Sequence, residues 1–375
     1  MEQQLPGVMN AFADLADPRW RACRYPLNEI LLTALCAVLC GVEDWETMTL
    51  WGRSQLEWLR RILPFAQGIP SPDTFRRVFL ALNPNAFERC FTEWVGALCP
   101  SLSGKHIAID GKSVRGSRNG EAHALHLVSA WCSTNGLTLG QVSTAQKSNE
   151  ITAIPELLKA LELKGATVTI DAMGTQHDIA EAIVAAQADY VLALKDNQPG
   201  LADAVRQWFA AARQGQLEHS YWEHVQHDKG HGRLETRICR VTDDVDWLPG
   251  VGQCWAGLKR LVMVESSRTM GDKTSIECRY YISSRTIKAQ EMAHLVRSHW
   301  GIENSLHWVL DVSWGEDACQ IRDRNAARNL ALIRKITLNL ARQAVQEDGK
   351  RISLKSVRNL AAWDVNYRNR VLGLA

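Results

Sequence analysis

The order of its predicted helices and strands places this 375-residue chain in the mixed α and β class, between α+β and α/β. Three observations support this prediction. Apolar residues recur at helical spacing through residues 1–100, strand-like apolar runs begin after Lys105, and strands then alternate with helices as far as Arg213. This alternation is typical of a sheet with helices packed on its faces.

The first 100 residues are predicted to form a helical domain that binds DNA or serves assembly. Ser71, Pro72 and Asp73 form a turn followed by a helix start, and Pro84 begins the next helix. The predicted helices are Asn28–Gly41, Asp44–Ile62, Thr74–Leu82 and Pro84–Leu98. The boundary with the next domain is placed at Pro100–Gly104, where the spacing of apolar residues changes.

The central region is predicted to begin with three strands, two of them joined by a hairpin. The first strand, His106–Ile109, ends at Asp110, and Asn135-Gly136 is a strong signal for a tight turn between the next two. The elements that follow the first strand are strands Leu125–Cys132 and Leu137–Val142, helix Asn149–Leu163, strand Ala166–Ile170, helix Gln176–Ala186, strand Tyr190–Leu194 and helix Leu201–Arg213. This is the element order of an RNase H-like fold, with a mixed sheet and flanking helices.

Residues 215–285 interrupt that order and are predicted to form a β-rich insertion. They contain the alternating runs Leu234–Val241, Arg260–Val264 and Glu277–Ile282, and helix resumes at Ala289. The predicted domains are therefore residues 1–100, residues 101–345 with their insertion, and a basic C-terminal tail at 346–375.

Composition and charge narrow the possible functions. The apolar fraction of 46% and the charged fraction of 22% are ordinary for a folded protein. No apolar run reaches membrane-spanning length, and the N-terminal residues lack the basic patch and apolar core of a signal peptide, so we expect a cytoplasmic protein.

The ten cysteines lack a CxxC pair and are expected to be buried free thiols. Residues 321–375 carry 12 Lys and Arg against 4 acidic residues, a net charge of +8 that suits either a polyanionic partner or a solvated helical face.

Two aspartates follow strands that lie side by side in the predicted sheet. Asp110 and Asp171 each follow a short apolar strand, and each is followed by small residues. A single aspartate at such a position is usually a turn or cap residue. Two of them at adjacent strand ends predict a site, because reactive groups are displayed there in α/β folds.

A third carboxylate on a late helix would complete a metal site. Glu303 is the candidate, flanked by Trp300 and Ile302, and its rivals are Asp311, Glu316 and Asp317. Asp311 lies two turns beyond Glu303, about 12 Å along a helix, and the other two follow Gly315, which favours cap or loop positions. Clustered carboxylates repel one another and need cations. Three oxygen ligands predict two Mg²⁺ ions, with Mn²⁺ as a substitute, and hydrolysis or transfer of phosphodiesters.

Several long strings resemble one protein family. The strings HIAIDGKSVRGS, AQKSNEITAIPELL, VTIDAMGTQHDIAE, YVLALKDNQ, KGHGRLETR, RYYISS and RSHWGIENSLHWVLDV, in this order, are similar to the H-repeat-associated transposases of bacterial insertion sequences. The resemblance covers essentially the whole chain. It implies an RNase H-like DDE domain whose catalytic and metal-binding carboxylates are Asp110, Asp171 and Glu303, acting with Mg²⁺ on DNA that bears terminal inverted repeats.

The chain departs from one pattern found in hairpin-forming relatives. Those proteins place Tyr, Arg and Lys at fixed spacing around the glutamate, and the matching positions here are Val296, His299 and Leu310. Arg297 is offset by two from the Arg position. The resemblance therefore does not extend to a DNA hairpin intermediate.

Further residues are candidates for DNA contact, each with a plainer alternative. Lys112 and Arg115 suit phosphate binding or a solvated surface. His299 and His307, spaced four residues either side of Glu303, suit phosphate contacts or structural hydrogen bonds, and Trp222 suits base stacking or a structural role. The predicted DNA-binding set is Lys112, Arg115, His231, Arg233, Arg237, Arg297, His299, Arg322, Arg324, Arg328, Arg334 and Lys335.

These predictions favour an active transposase that cleaves DNA at terminal inverted repeats and transfers strands to target DNA, working as a homodimer on DNA near the bacterial nucleoid. The alternative is a catalytically silent, DNA-binding remnant of a mobile element. A repair nuclease of RNase H-like fold accounts for neither the insertion nor the N-terminal domain.

Overall fold

A computed structural model describes residues 7–20, 23–118, 120, 123–144, 150–195, 197–217, 221–230, 233–248, 254–349 and 352–374. Within these residues nine strands form one sheet, in the order β3-β2-β1-β4-β5-β9-β8-β7-β6. The strands are β1 His106–Val114, β2 Leu125–Cys132, β3 Leu137–Thr144, β4 Thr167–Ile170, β5 Asp189–Leu194, β6 Trp222–Gly230, β7 Arg233–Thr242, β8 Arg260–Met270 and β9 Lys273–Ser283.

The first five strands have the RNase H-like arrangement that the sequence predicts. Strands β1, β2 and β3 are antiparallel neighbours, while β4 pairs with β1 in parallel and β5 pairs with β4 in parallel. Helices α7 (Glu150–Lys159), α8 (His177–Ala185) and α9 (Pro199–Arg213) connect or follow these strands. The predicted fold class is confirmed, and the parallel pairs bring the ends of β1 and β4 together.

The β-rich insertion extends the same sheet. Strand β9 pairs antiparallel with β5, and β8, β7 and β6 continue outward to a free edge. The sequence prediction missed β6, because that strand is largely exposed on both faces and shows no apolar alternation. Trp222, considered above as a base-stacking residue, is the first residue of β6 and is half-exposed.

Helices from both ends of the chain pack around one long helix. The N-terminal helices are α1 Gly7–Ala11, α2 Leu27–Leu39, α3 Trp45–Ser54, α4 Leu56–Leu59, α5 Pro72–Ala81 and α6 Pro84–Leu98. The later helices are α10 Ala289–His299, α11 Trp308–Ser313, α12 Arg324–Asp348, α13 Leu354–Trp363 and α14 Val365–Val371. Helix α12 contacts α2, α5, α6 and β3, and it is buried on nearly every face because partners surround it.

The expected basic tail is folded in the structure. Residues 354–371 form α13 and α14, in which Arg358 and Arg368 are buried while Arg370 is exposed. The Arg368 guanidinium carbon lies 4.1 Å from the ring centroid of Trp58, and Arg358 donates to the Val38 carbonyl at 2.9 Å. Much of the C-terminal positive charge therefore joins the two ends of the chain.

The remaining composition-based expectations concern thiols and membranes. All ten cysteines lie in the described residues as free thiols, and five of them are buried. Among the described residues, none of the helices combines the length and the apolarity that crossing a membrane requires.

Candidate active site

Asp110 and Asp171 occupy equivalent positions on neighbouring parallel strands. The pairing of β1 with β4 ends at Ile109 and Ile170, and each aspartate is the next residue. The predicted end of β1 at Asp110 is corrected, because β1 continues to Val114 against β2. Asp110 therefore lies where β1 loses one neighbouring strand and keeps the other. Its carboxylate is near enough to that of Asp171 for the two charges to repel each other.

The loop after β4 fixes the Asp171 side chain. Its Oδ1 atom accepts hydrogen bonds from the backbone N–H groups of Met173 at 3.1 Å and Gly174 at 3.3 Å. Two backbone donors on one carboxylate oxygen hold the side chain in one orientation. This arrangement suits a ligand that must be in place before a cation binds.

The residue after Asp110, Gly111, has no room for a side chain. A Cβ atom at this position would lie 2.5 Å from His126 Nε2 and 2.6 Å from Glu150 Cδ. His126 and Glu150 form a buried pair at 2.5 Å, and Ser113 contacts the other ring nitrogen of His126 at 2.9 Å. The residue after Asp110 must therefore be glycine if this pair is to pack against the strand.

Glu303 reaches Asp110 from a π-helical turn. Residues Ile302–His307 follow α10 and form backbone hydrogen bonds to the fifth residue back instead of the fourth. The Trp308 N–H, for example, donates to the carbonyl of Glu303. His307 Nδ1 lies 3.4 Å from Glu303 Oε2 and 3.5 Å from Asp110 Oδ2. One potential ligand atom from each of Asp110, Glu303 and His307 lies within 4.8 Å of the other two. Single π-helical turns are frequent at functional sites.

The charges at this site are not balanced. Burial and the nearby carboxylates of Glu303 and Asp171 raise the pKa of Asp110 to about 8. Glu303 has the opposite shift, because a hydrogen bond from His307 lowers its pKa. Two neighbouring carboxylates with opposed shifts are typical of functional sites, and here a bound cation would remove the repulsion that raises the pKa of Asp110.

His299 lies beneath the carboxylates in a buried hydrogen-bond chain. Its Nδ1 atom is 2.9 Å from Thr169 Oγ1, which is also 2.7 Å from His106 Nε2. Burial lowers the pKa of His299 to about 4, so the ring is neutral at physiological pH. Of the two roles considered for His299, the structure supports the structural hydrogen bond.

Comparison with known proteins gives the family. The family model described as DDE_Tnp_1-associated matches residues 9–95, and the one described as Transposase DDE domain matches residues 102–340. This chain belongs to the DDE transposase family. Asp110, Asp171 and Glu303 all lie within the second match.

Similar proteins share most of this transposase's length. It is 41% identical over 354 residues to "Putative transposase YncI" of Escherichia coli O157:H7, covering 93% of this chain and 90% of that one. It is 38% identical over 378 residues to "H repeat-associated putative transposase YhhI" of E. coli K12, covering 98% of each. A solved piggyBac transposase synaptic complex with hairpin DNA aligns over 98% of this chain and 77% of that one, with 12% identity and a TM-score of 0.42.

The rivals of Glu303 form a second cluster in the transposase, around Lys112. Its Nζ atom lies 2.6 Å from Asp311, 2.9 Å from Glu316 and 3.4 Å from Asp317. Lys112 was predicted as a phosphate contact, but its side chain is 10% exposed and is surrounded by these carboxylates. Glu316 lies in a turn after α11, as predicted for a cap or loop residue, and it is fully buried there. The lysine is therefore assigned to an internal ion cluster.

Two further predicted DNA contacts are buried. Arg334 and Lys335 are each 2% exposed, too buried to reach a phosphate. Arg334 donates to the Trp314 carbonyl, and Lys335 donates to Gln141 at 2.5 Å. The helical spacing of the basic residues spreads them over more than one face of α12, and this helix is covered by helices on one side and by the sheet on the other.

The other predicted DNA contacts differ in their surroundings. Arg115 and Arg322 are exposed. Arg324 donates to the Thr144 carbonyl, and Arg328 pairs with Glu88. Residue His231 and the side chain of Arg233 lie outside the described part of the chain. These assignments remain predictions.

A groove lies beside Glu303 on the face of the sheet that carries α10. Its volume is about 590 Å³, and it runs between the inserted strands and the end of α10. Arg237 and Arg297 reach it, both paired with Asp228. Two further arginines line the groove and were not predicted from the sequence, Arg268 on β8 and Arg279 on β9. Arg279 pairs with Glu277, which also lines the groove, at 2.8 Å. Because successive side chains of a strand point to opposite faces of the sheet, these two arginines could have been assigned to this face once the strands were known.

Proposed function

We propose that this transposase cleaves DNA at terminal inverted repeats and joins the released strand to target DNA. Asp110, Asp171 and Glu303 are the catalytic carboxylates and the ligands of two Mg²⁺ ions, for which Mn²⁺ can substitute. The observation that carries the proposal is that Asp110, Glu303 and His307 come together where the β1–β4 pairing ends. Asp171 is the residue that follows β4 at the same end.

The side chains fit a divalent cation. Carboxylate oxygens are the donors that Mg²⁺ and Mn²⁺ prefer. Burial, together with the nearby carboxylates of Glu303 and Asp171, raises the pKa of Asp110, and a cation bound there would offset both effects. When bound, the two ions supply activation of the attacking hydroxyl and stabilisation of the leaving phosphodiester oxygen.

The protein groups have separate tasks. The backbone N–H groups of Met173 and Gly174 orient Asp171, and His307 contacts Asp110 and Glu303 from below. The arginine-lined groove beside Glu303 holds the DNA backbone, with Arg237 and Arg297 among its contacts. DNA is bound mainly through its phosphates, so a groove of this charge positions the strand without reading its sequence.

The same proposal covers the partners and location. The transposase binds double-stranded DNA with terminal inverted repeats, then target DNA, as a homodimer at the bacterial nucleoid. We retain a helical DNA-binding or assembly role for residues 1–100 and the catalytic role for residues 101–345.

The test is cleavage of a labelled duplex that carries the inverted repeat found beside the gene, with Mg²⁺ or Mn²⁺. Asp110→Asn, Asp171→Asn and Glu303→Gln should each abolish cleavage and keep DNA binding. Asp311→Asn, in the Lys112 cluster, is the control and should keep measurable cleavage. Cleavage by Glu303→Gln together with loss in Asp311→Asn would move the third ligand to Asp311. A wild-type protein that binds these ends and never cuts them would instead be a silent remnant.

A further inference from the structure

The π-helical turn that carries Glu303 is contacted by a buried arginine from α12. Arg342 donates hydrogen bonds to the carbonyl of Ser305, inside the turn, and to the carbonyl of Gly136 at 2.6 Å. Gly136 belongs to the hairpin between β2 and β3. One guanidinium therefore bridges the turn of Glu303 and the hairpin that follows β2, the strand next to β1.

The position of Arg342 is fixed by its neighbours. Its guanidinium carbon lies 4.1 Å from the ring centroid of Trp131, which is paired with Ala108, two residues before Asp110. One turn earlier on α12, Asn339 exchanges two hydrogen bonds with the backbone of Thr138, at 3.0 and 2.9 Å. One turn later, Gln346 donates to the Asn135 carbonyl at 2.8 Å. A stripe of three side chains thus ties α12 to the hairpin, with Arg342 in the middle.

No carboxylate among the described residues pairs with Arg342, although its side chain is 8% exposed. Burial lowers the pKa of Arg342 to about 9. A buried cation without an acidic partner is costly, so a function is a better account of it than stability alone. Its planar fork suits two carbonyls and an aromatic face at once, which a lysine cannot reproduce.

We propose that Arg342 is a positioning residue for Glu303. By holding the Ser305 carbonyl against the hairpin, it keeps residues 302–307 in the π-helical form that directs Glu303 and His307 toward Asp110. This inference rests on the proposed role of Glu303 for its link to catalysis. Its structural half, the dependence of the turn on Arg342, stands independently.

The chain offers a matched control in Arg358. This residue is also buried, lies 4.9 Å from the ring centroid of Trp314, and donates to two backbone carbonyls, those of Ser313 and Val38. Its bonds lie outside the π-helical turn. A general effect of removing a buried, ring-stacked arginine should therefore appear in both variants, and an effect on Glu303 only in the Arg342 variants.

The first experiment is hydrogen exchange of backbone amides in the full-length, metal-free protein. In Arg342→Lys and Arg342→Met, exchange of residues 302–308 should rise about tenfold or more, as expected when a local structure loses its support. Arg358→Lys should leave that segment unchanged. The proposal is overturned if both Arg342 variants exchange the amides of this segment at the wild-type rate. It is also overturned if exchange rises evenly over the whole molecule.

The second experiment measures Mn²⁺ affinity of the full chain by the paramagnetic resonance of the free ion, with Asp110→Asn as the reference for loss of the site. Arg342→Lys should weaken binding roughly 10- to 100-fold, the usual effect of losing support behind a metal ligand. Arg358→Lys should bind like the wild type. Unchanged affinity in Arg342→Lys overturns the link to Glu303. If the wild type shows no binding that depends on Asp110, the proposed function fails, and the exchange experiment still decides the role of Arg342 in the turn.

Discussion

At the scale of single residues, the site is made by groups that are each held by a different element. Asp110 comes from the middle of β1, Asp171 from the loop after β4, and Glu303 from a π-helical turn. Their positions relative to one another are set by the register of two parallel strands and by one wide helical turn. Small changes at residues that carry no charge should therefore affect the site.

The raised pKa of Asp110 predicts a pH dependence of stability. Its pKa in the folded protein is about 8, above the ordinary value of 3.8, so folding favours the protonated form. The associated stabilisation is complete below pH 3.8 and is lost as the pH rises through about 8. In metal-free protein, the free energy of unfolding of the wild type should fall between pH 5 and pH 8 relative to Asp110→Asn, measured by urea unfolding. Parallel pH curves for the two proteins would contradict this prediction.

Gly111 gives a prediction about space. Gly111→Ala should lower the free energy of unfolding by roughly 1–3 kcal/mol, because its Cβ would overlap the buried pair of His126 and Glu150. Gly200→Ala is the control, since a Cβ there meets nothing within 4 Å, and it should be neutral or slightly stabilising. Denaturant unfolding of both variants is the measurement. Equal stabilities would mean that the pair moves aside without cost.

At the scale of elements, much of the structure is predictable from sequence. Strand Leu125–Cys132 was predicted with its exact bounds, since it is apolar and ends at a clear turn signal. The start of α10 at Ala289 was also correct. Strand β6 was missed because both of its faces meet solvent, and the π-helical turn was missed because no residue type marks a change from four- to five-residue spacing. Asp110 and Asp171 were selected by their place in the element order, and Glu303 by its position on a late helix, its apolar neighbours and the family resemblance. The contact of His307 with Asp110 and Glu303 could not be predicted, because it depends on the three-dimensional arrangement.

Burial of charge was the main feature that the sequence could not reveal. A lysine or arginine on a helix predicts a solvated face in most proteins. Lys112, Lys335 and Arg368 are buried here because partners distant in the sequence supply carboxylates, an amide and aromatic rings. Such partners lie up to some 300 residues away, as for Arg368 and Trp58, and no local pattern identifies them.

The cluster around Lys112 gives a prediction about stability. Lys112→Met should cost about 3–5 kcal/mol of unfolding free energy, because it leaves Asp311, Glu316 and Asp317 without their shared cation. Arg115→Met removes a nearby charge whose side chain is 84% exposed, and it should change stability by less than about 0.5 kcal/mol. Thermal or urea unfolding compares them. A stable Lys112→Met that binds DNA with a smaller salt dependence would restore Lys112 as a phosphate contact.

The groove gives a prediction about DNA binding. Arg268 is exposed and lines the groove, so Arg268→Gln should lower the slope of log affinity against log salt by about 0.9. Arg206→Gln changes a similarly exposed arginine on α9, which contacts Tyr280 on the opposite face of the sheet, and should leave the slope unchanged. Binding to an inverted-repeat duplex is measured from low to physiological salt. The groove would be excluded as the DNA path if the two variants gave the same slope.

At the scale of the whole molecule, the insertion and the two ends of the chain are continuous with the catalytic core. The inserted strands extend the sheet that holds Asp110, and the N-terminal and C-terminal helices share α12. The groove, the carboxylates and the helical region are therefore parts of one packed structure. The basic charge of the C-terminal segment is divided between this packing and the surface.

The joining of the chain ends has a consequence during protein synthesis. Helix α2 is completed at Leu39, but the arginines that cover it come from residues 358 and 368. At about 5–20 residues per second, a ribosome needs roughly 15–60 s to synthesise the intervening segment. During that time the apolar N-terminal helices lack their final partners and are open to chaperones. The transposase thus reaches its complete fold only late in translation, when the ribosome is already far from the start of the message.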